Sequence, residues 1–261
     1  MTAPPTLGLV VPAYRPDPDV LTTYLQRLEA VLSPATLRVE LDVPEPAVVE
    51  RLGETTATVA TSNKRRGKGA AITAGFAALE TDVLAFADAD GSTPARQVSR
   101  VVAPVTEGTA DVAVGSRRHP EATVESSQTR ARASMGDGFA WLARRLLDVQ
   151  LYDYQCGAKA LTAAAWDRLD DHLTESGFAW DVELLALAGA MDMEIREVPI
   201  VWQDHPDSTV PPVRTALDLA RALVRARYRT RRVRTDAQTS PESESNGTED
   251  VVGETPSKHN E

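Results

Sequence analysis

Apolar runs and amphipathic stretches alternate along the first half of the chain. Leu7 to Val11 is a continuous apolar run closed by Pro12, the pattern of a strand buried on both faces. Over 18–32 the positions Val20, Leu21, Tyr24, Leu25, Leu28, Val31 and Leu32 recur at helical spacing and predict a helix. Leu37 to Leu41 and Thr56 to Ala60 read as strands, with a short helix over 45–53 between them. A polar stretch, Thr61 to Lys68, leads into a helix over Ala70 to Leu79. Val83 to Ala87 is the next buried strand and delivers Asp88. Pro94 opens a helix to about Val105, and Val112 to Val114 is a strand running into Gly115-Ser116-Arg117. This order predicts an α/β fold: a mostly parallel, Rossmann-like sheet with flanking helices. Ligands of such sheets bind beyond the carboxyl ends of the strands. Pro12-Ala13-Tyr14, Asp42, Asp88 with Asp90, and Ser116 with Arg117 all fall at those ends, so they are expected to share one crevice.

The second half is less regular. Residues 117–132, rich in charge and Ser/Thr, read as a mobile loop, and 133–147 as a helix. Tyr152 to Lys159 reads as a polar turn, Ala163 to Leu169 and Trp180 to Ala190 as helices, and Glu194 to Trp202 as a strand. Pro211 to Arg234 is a long amphipathic helix, and the Ser/Thr/Glu/Gly-rich remainder is expected to be disordered. The expected organisation is one α/β body over 1–210, a basic membrane-facing helix over 211–235 and an acidic disordered tail over 236–261.

Charge sharpens that division. The net −10 separates into −11 over 1–212, +7 over 213–235 (eight Arg against one Asp) and −6 beyond. An acidic body with one basic segment argues against nucleic acid as a partner, which needs a broad basic surface. In the basic helix Val213, Leu217, Ala220, Leu223, Val224 and Tyr228 lie on one stripe, and Arg214, Arg221, Arg225, Arg229 and Arg232 on another. That pairing suits an anionic membrane surface and equally suits a helix packed on the domain with solvated arginines. The single Cys156 allows no intrachain disulfide. No signal peptide is expected from Met1 to Pro5, and no apolar stretch reaches the ~18 residues of a membrane span. A cytoplasmic protein, peripheral at the inner membrane face, is expected from these features.

The sharpest chemical signal is Phe86-Ala87-Asp88-Ala89-Asp90-Gly91-Ser92, where an apolar strand hands two carboxylates to a loop. Such a pair can hold Mg²⁺ or Mn²⁺ against a diphosphate. Gly67-Lys68-Gly69 before a helix brings backbone donors near a phosphate or is a tight loop with a solvent-facing Lys; the spacing is not that of a P-loop. Asp181 and Glu183 beside Trp180 are an acceptor-side element or a favourably charged helix start. The four His form no metal-ligand spacing, and Cys156 reads as a small buried hydrophobe. A nucleotidyltransferase would carry a Gly-rich, Arg-containing loop where Pro12-Ala13-Tyr14 stands.

Six segments occur in one order: Val10-Val11-Pro12-Ala13-Tyr14, Arg66-Gly67-Lys68-Gly69-Ala70-Ala71, Ala87-Asp88-Ala89-Asp90-Gly91, Gly115-Ser116-Arg117, Tyr154-Gln155-Cys156-Gly157-Ala158-Lys159 and Trp180-Asp181-Val182-Glu183-Leu184-Leu185. On them the chain, over about 7–230, resembles inverting family-two glycosyltransferases of the GT-A fold, in the dolichyl-phosphate hexose synthase branch. The resemblance implies transfer of a hexose, glucose from UDP-glucose foremost, to dolichyl or polyprenyl phosphate for glycan assembly. It implies donor and acceptor contacts from Pro12, Tyr14, Asp42, Lys68, Asp88, Gln155 and Asp181. It places the metal on Asp88, Asp90 and Ser92, and the chemistry around Asp90, Arg117, Arg130 and Ser134. The chain departs from the family pattern at Arg15-Pro16, at Val43-Pro44-Glu45-Pro46 and at Ser208-Thr209, where the mannosyl branch has a phosphate-binding Lys. Transfer to another acceptor, or sugar-nucleotide binding without catalysis, are the alternatives.

Overall fold

The structure, a computed structural model, describes residues 3–125, 130–203 and 212–239, and their side chains except at 130–137, 212–220, 233 and 236–239. The first half follows the predicted alternation. It runs β1 (Leu7–Tyr14), α1 (Pro18–Leu32), β2 (Thr36–Asp42), α2 (Pro46–Leu52), β3 (Thr58–Ser62), α3 (Lys68–Phe76), β4 (Val83–Ala87), α4 (Ala95–Thr106) and β5 (Val112–Ser116). The second half adds β6 (Thr123–Glu125), α5 (Arg130–Leu146), β7 (Ala158–Thr162), α6 (Ala163–Leu169), α7 (Trp180–Ala190), β8 (Ile195–Pro199), β9 (Val201–Gln203) and α8 (Pro212–Thr239).

Seven strands form the main sheet in the order β3-β2-β1-β4-β7-β5-β8. All pairs are parallel except those of β7, which lies antiparallel between β4 and β5. The register sets Tyr14 opposite Asp42 and Asp42 opposite Ser62, so three strands end level. Ala158 enters the sheet opposite Ala87, bringing the loop before β7 to the same edge as Asp88. Local chemistry fixes the entry to α1: the Asp17 side chain accepts from the Asp19 and Val20 amides at 3.0 Å each, and Pro18 opens the helix.

Helix α7 is buried along almost its whole length, including Asp181 and Glu183 in its first turn, and is otherwise apolar, as expected of a helix enclosed by the core. Trp180, at its start, joins Phe76, Phe86 and Trp166 in an aromatic cluster with ring centroids 5.1 to 6.5 Å apart. Such tilted and edge-on pairs contribute about 0.5–1.5 kcal/mol each beyond area burial.

The second half corrects the sequence reading in three places. The Tyr152–Lys159 stretch is not simply a polar turn: Tyr154 and Cys156 are buried, and Ala158 and Lys159 begin the central strand β7. Lys159 hid that strand, because a charged residue interrupts the apolar run. The expected single strand over Glu194–Trp202 divides at Ile200, β8 completing the main sheet while β9 pairs with β6. The charged loop after Arg117 contains β6; residues 126–129 lie outside the described residues. Helix α8 continues past Arg234 to Thr239, and the tail from 240 on is likewise outside them.

The basic helix is docked on the body. Ala222, Leu223 and Ala226 are buried, Arg225 pairs with Glu175 at 2.8 Å, Arg229 with Glu183, and Arg234 with Asp148 at 2.7 Å. Leu223 from the predicted apolar stripe therefore faces the domain, while Val224 and Tyr228 stay 62% and 68% exposed. The side chains of Val213, Leu217 and Ala220 are outside the described set.

Candidate active site

The carboxyl ends of the strands gather most of the predicted residues. Asp88 follows β4 directly, and its backbone N–H donates to Gly157 O at 2.8 Å. Asp90 is held by the loop it belongs to: Ser92 N donates to its Oδ1 at 2.9 Å. Ser92 itself is buried, and its carbonyl accepts from Gln203 N at 2.9 Å, which ties this loop to β9. Beneath them the buried Tyr24 hydroxyl donates to Thr93 O at 2.6 Å. Burial first, then the charges of Asp88 and Asp90, push the Tyr24 phenol well above its usual range.

Gly157 presses on Asp88. A Cβ at that position would lie 2.1 Å from Asp88 Oδ2 and 2.5 Å from its Cγ. Gly157→Ala is therefore expected to displace the carboxylate at a cost of about 1–3 kcal/mol in overpacking and to lower activity far more than stability. Activity and thermal midpoint measured side by side test this; unchanged activity would show that the Asp88 position is not critical.

Lys68 stands at the first turn of α3. Gly67, at φ 98°, makes the entry, and added Cβ atoms at Gly67 and Gly69 would strike Ser176 O and Trp180 Cβ at 2.5 Å each. These two glycines let α3 press against the segment leading into α7, with Ala70 N donating to Ser176 O at 3.0 Å. The consequence is electrostatic. Lys68 Nζ lies 3.0 Å from Asp88 Oδ1 and 3.0 Å from Asp181 Oδ2. Burial alone would lower its pKa, but Asp181 and Asp88 reverse the sign and raise it, so Lys68 is a fixed cation. The Asp88 carboxyl is pushed up by desolvation, a rise that Lys68 opposes and Asp90 and Asp181 reinforce.

Arg117, just past β5, is clamped by a residue that sequence reasoning missed. Asp153 accepts from Arg117 Nε at 2.7 Å, from Nη2 at 3.0 Å and from the Arg117 amide at 3.2 Å. Asp153 also accepts from Gln155 N at 3.0 Å, and its own amide donates to Glu197 Oε1 at 2.8 Å. The guanidinium carbon lies 5.6 Å from the Trp202 ring centre. The one available signal was an acidic residue inside the Tyr152–Lys159 stretch.

The remaining residues fall as follows. Pro12 is buried within β1, and Tyr14 is exposed at its end with the Arg65 guanidinium 4.2 Å from its ring centre. Asp42 is buried with both oxygens engaged: Oδ1 by Arg66 Nε at 2.7 Å, Oδ2 by the amides of Arg66 at 2.6 Å and Gly67 at 3.1 Å. Arg66 also pairs with buried Glu40 at 2.8 Å. Asp42 thus shapes the loop that presents Lys68. Asp181 is buried between Lys68 and Lys159, and Glu183 accepts from the Thr174 and Glu175 amides at 2.9 and 2.7 Å. Arg130 and Ser134 lie on α5, with side chains outside the described residues, as are Ser208 and Thr209. The Cys156 thiol is fully buried, and that burial raises it to about 11, the setting of an inert structural cysteine. A hollow of about 410 Å³ between α1 and α4 is lined by Pro5, Leu7, Val31 and Val102 among others, without an ionisable side chain, and lies away from this chemistry.

Residues 46–161 match the profile described as Glycosyl transferase family 2. The chain is 28% identical over 229 residues to glycosyltransferase AglD of Haloferax volcanii, covering 84% of this chain and 36% of that protein. It is 31% identical over 189 residues to dolichyl-phosphate beta-glucosyltransferase of Mus musculus, covering 69% and 58%. The chain thus spans less than two thirds of the length of these relatives. Among solved structures, a glucosyl-3-phosphoglycerate synthase from Mycobacterium tuberculosis in complex with Mn²⁺, UDP-glucose and phosphoglyceric acid superposes with a TM-score of 0.67 at 15% identity, over 86% of this chain and 80% of that one. Mannosyl-3-phosphoglycerate synthase from Rubrobacter xylanophilus gives 0.62 at 18% identity, over 93% and 78%. These likenesses concern the fold. Residues 46–161 thus match a glycosyl transferase family 2 domain, and the fold is the GT-A-like architecture of these structural neighbours.

Proposed function

We propose that this protein transfers a hexose, glucose from UDP-glucose foremost, to the phosphate of dolichol or another polyprenol, with inversion and at a membrane surface. The observation that carries this reading is the placement, at the carboxyl ends of nearby strands, of the acidic pair Asp88 and Asp90, of Lys68 bonded to Asp88, and of Arg117 clamped by Asp153 and within electrostatic reach of Asp88. A diphosphate donor and a phosphate acceptor together require such groups. The relatives named dolichyl-phosphate beta-glucosyltransferase support the choice of acceptor and sugar.

The donor set fits Mg²⁺ or Mn²⁺. Among the described residues no three His, Cys, Asp or Glu side chains form a ligand cluster, so Asp88 and Asp90 would hold the ion while phosphate oxygens and water complete its shell, as is usual for Mg²⁺. Desolvation first, with Asp90 and Asp181 adding to it and Lys68 opposing, raises the Asp88 carboxyl, and a cation shared by Asp88 and Asp90 would offset that repulsion. When bound, such an ion supplies Lewis-acid stabilisation of the departing diphosphate.

The chain's own residues then have few tasks. A phosphate monoester has a second pKa of about 6 and arrives largely dianionic at neutral pH, so no side chain needs to remove a proton from it. Arg117 offers a planar, permanently charged group suited to phosphate oxygens, and Arg130 and Ser134 are assigned to the same acceptor. Lys68 offsets the diphosphate charge. An acceptor phosphate oxygen bonds to the anomeric carbon as the bond from that carbon to the nucleotide diphosphate breaks, and the configuration inverts.

The test is transfer of radiolabelled sugar from UDP-glucose, GDP-mannose and UDP-N-acetylglucosamine to dolichyl phosphate, with Mn²⁺, Mg²⁺ or chelator. Metal-dependent label in the lipid phase from UDP-glucose, with inverted configuration by NMR, is expected. Nucleotide-sugar binding without transfer from any donor would favour another acceptor or a non-catalytic module.

No helix among the described residues is long and apolar enough to cross a membrane. Contact with lipid is assigned to the outer side of α8, where Val224 and Tyr228 are exposed on an Arg-rich helix. Arg225 and Arg229 hold the helix to the body, so the informative variant is Val224→Ser with Tyr228→Ser. It is expected to lose most co-sedimentation with vesicles containing anionic lipid; retention at the wild-type level would remove α8 from the membrane contact.

A further inference from the structure

Two of the chain's four lysines, Lys68 and Lys159, converge on one buried carboxylate. Lys159 sits in the central antiparallel strand β7, opposite Phe86 of β4 and Val114 of β5, with a side chain 0% exposed. Its ammonium donates to Asp181 Oδ1 at 2.6 Å and to the Cys156 carbonyl at 2.9 Å. The other oxygen of Asp181 holds Lys68 at 3.0 Å, and Lys68 reaches Asp88 Oδ1 at 3.0 Å. The result is a row of alternating charges, Lys159, Asp181, Lys68 and Asp88, running from the middle of the sheet to the crevice. The Phe86 ring stands beside both ammonium groups, with centroid distances of 5.0 and 5.5 Å.

A buried ion pair is a weak means of stabilising a fold, since apolar side chains of the same volume often do as well or better. Here it has a specific geometric effect. Lys side chains carry large rotamer freedom, and an ammonium is a compact charge on a flexible stem. Lys68 is the member of the row at the crevice, and it is denied that freedom by a carboxylate that is itself fixed from below. Asp181 has one oxygen on each lysine, so its role toward a ligand runs through Lys68.

We infer that Lys159 and Asp181 are positioning residues for nucleotide-diphosphate binding, acting through Lys68. Resting on the transferase reading above, this assigns Lys68 to the donor's diphosphate. When the donor binds, Lys68 exchanges its contact with Asp88 for phosphate oxygen while Asp181, anchored by Lys159, keeps it in place. A lysine lacking that anchor would bind diphosphate only after losing its own conformational freedom.

The test is a double-mutant cycle on UDP binding, measured by calorimetry with chelator and again with Mn²⁺. Lys159→Met, which keeps the volume and removes the charge, is expected to weaken UDP binding about tenfold, which is about 1.4 kcal/mol. In a Lys68→Ala background the same change is expected to shift affinity less than twofold. Asp181→Asn provides a second arm of the same size and shape, with the same expected dependence on Lys68. In steady state both single variants should raise KM for the donor and lower kcat only a few-fold. Equal weakening in both backgrounds, or no weakening, overturns the assignment and leaves a structural ion pair. A wild-type chain that binds no UDP with or without Mn²⁺ overturns the donor-site reading itself, and this inference with it.

Discussion

Asp88→Asn is expected to lower sugar transfer by about 10³-fold, in the range seen when one pre-organised electrostatic contact to a developing charge is removed. The carboxamide matches the carboxylate in size, so the close approach of Gly157 and the bond from the Asp88 amide to Gly157 O survive. Lys68 keeps Asp181. The fold should therefore persist, and the sign of the pKa shift goes further. Desolvation raises the Asp88 pKa, helped by Asp90 and Asp181 against the pull of Lys68. An acid whose folded pKa lies above its unfolded value is destabilising when ionised, and the penalty disappears as pH falls and the proton is taken up. At neutral pH the variant is then as stable as the wild type or slightly more so, and the difference closes toward the carboxylate range. Activity lost with the thermal midpoint kept is the pattern of a residue maintained for function at a cost in stability. Transfer within tenfold of wild type would remove Asp88 from the reaction.

The sequence made the parallel half of the fold legible because β1, β4 and β5 are apolar runs with a turn after each, and β2 alternates apolar and polar positions. Asp88, Asp90, Lys68 and Arg117 were visible for the same reason: each follows a strand or opens a helix, where side chains leave the core. The rest was obscured wherever charge is buried. Lys159 made the start of a central strand look like part of a polar turn, and Asp153 passed as one more acid in a polar stretch. Their partners, Asp181 and Arg117, lie 22 and 36 positions away, beyond any local pattern. The basic helix shows the converse. Periodicity separated its apolar and Arg stripes, but only tertiary contacts reveal that Leu223 faces the domain and that Arg225 and Arg229 answer Glu175 and Glu183.

Asp153→Asn is expected to cost about 3–5 kcal/mol, the range for breaking a buried ion pair by removing one partner. For a chain of this size that corresponds to a thermal midpoint lower by roughly 10 °C. Asp153 is 2% exposed and spends its two oxygens on the Arg117 guanidinium, the Arg117 amide and the Gln155 amide. Asparagine can accept at one oxygen only and carries no charge, so Arg117 is left partly buried without its counter-ion. Burial by itself would raise the Asp153 carboxyl, but the charge and hydrogen bonds of Arg117, with the amides of Gln155 and Arg117, hold it well below the usual range. A depressed folded pKa contributes stability that is complete above the unfolded value of about 3.9 and is lost as pH falls through the folded value. The gap between wild type and variant should therefore be flat from neutral pH down to about 4 and narrow only below it, as followed by denaturant unfolding across pH. A gap under about 1 kcal/mol, or one that stays constant as pH falls below about 4, would show that the clamp adds nothing to the fold. Transfer should fall as well, because Arg117 loses the group that fixes its plane. Since its charge survives in the variant, that loss measures how much of its contribution comes from orientation.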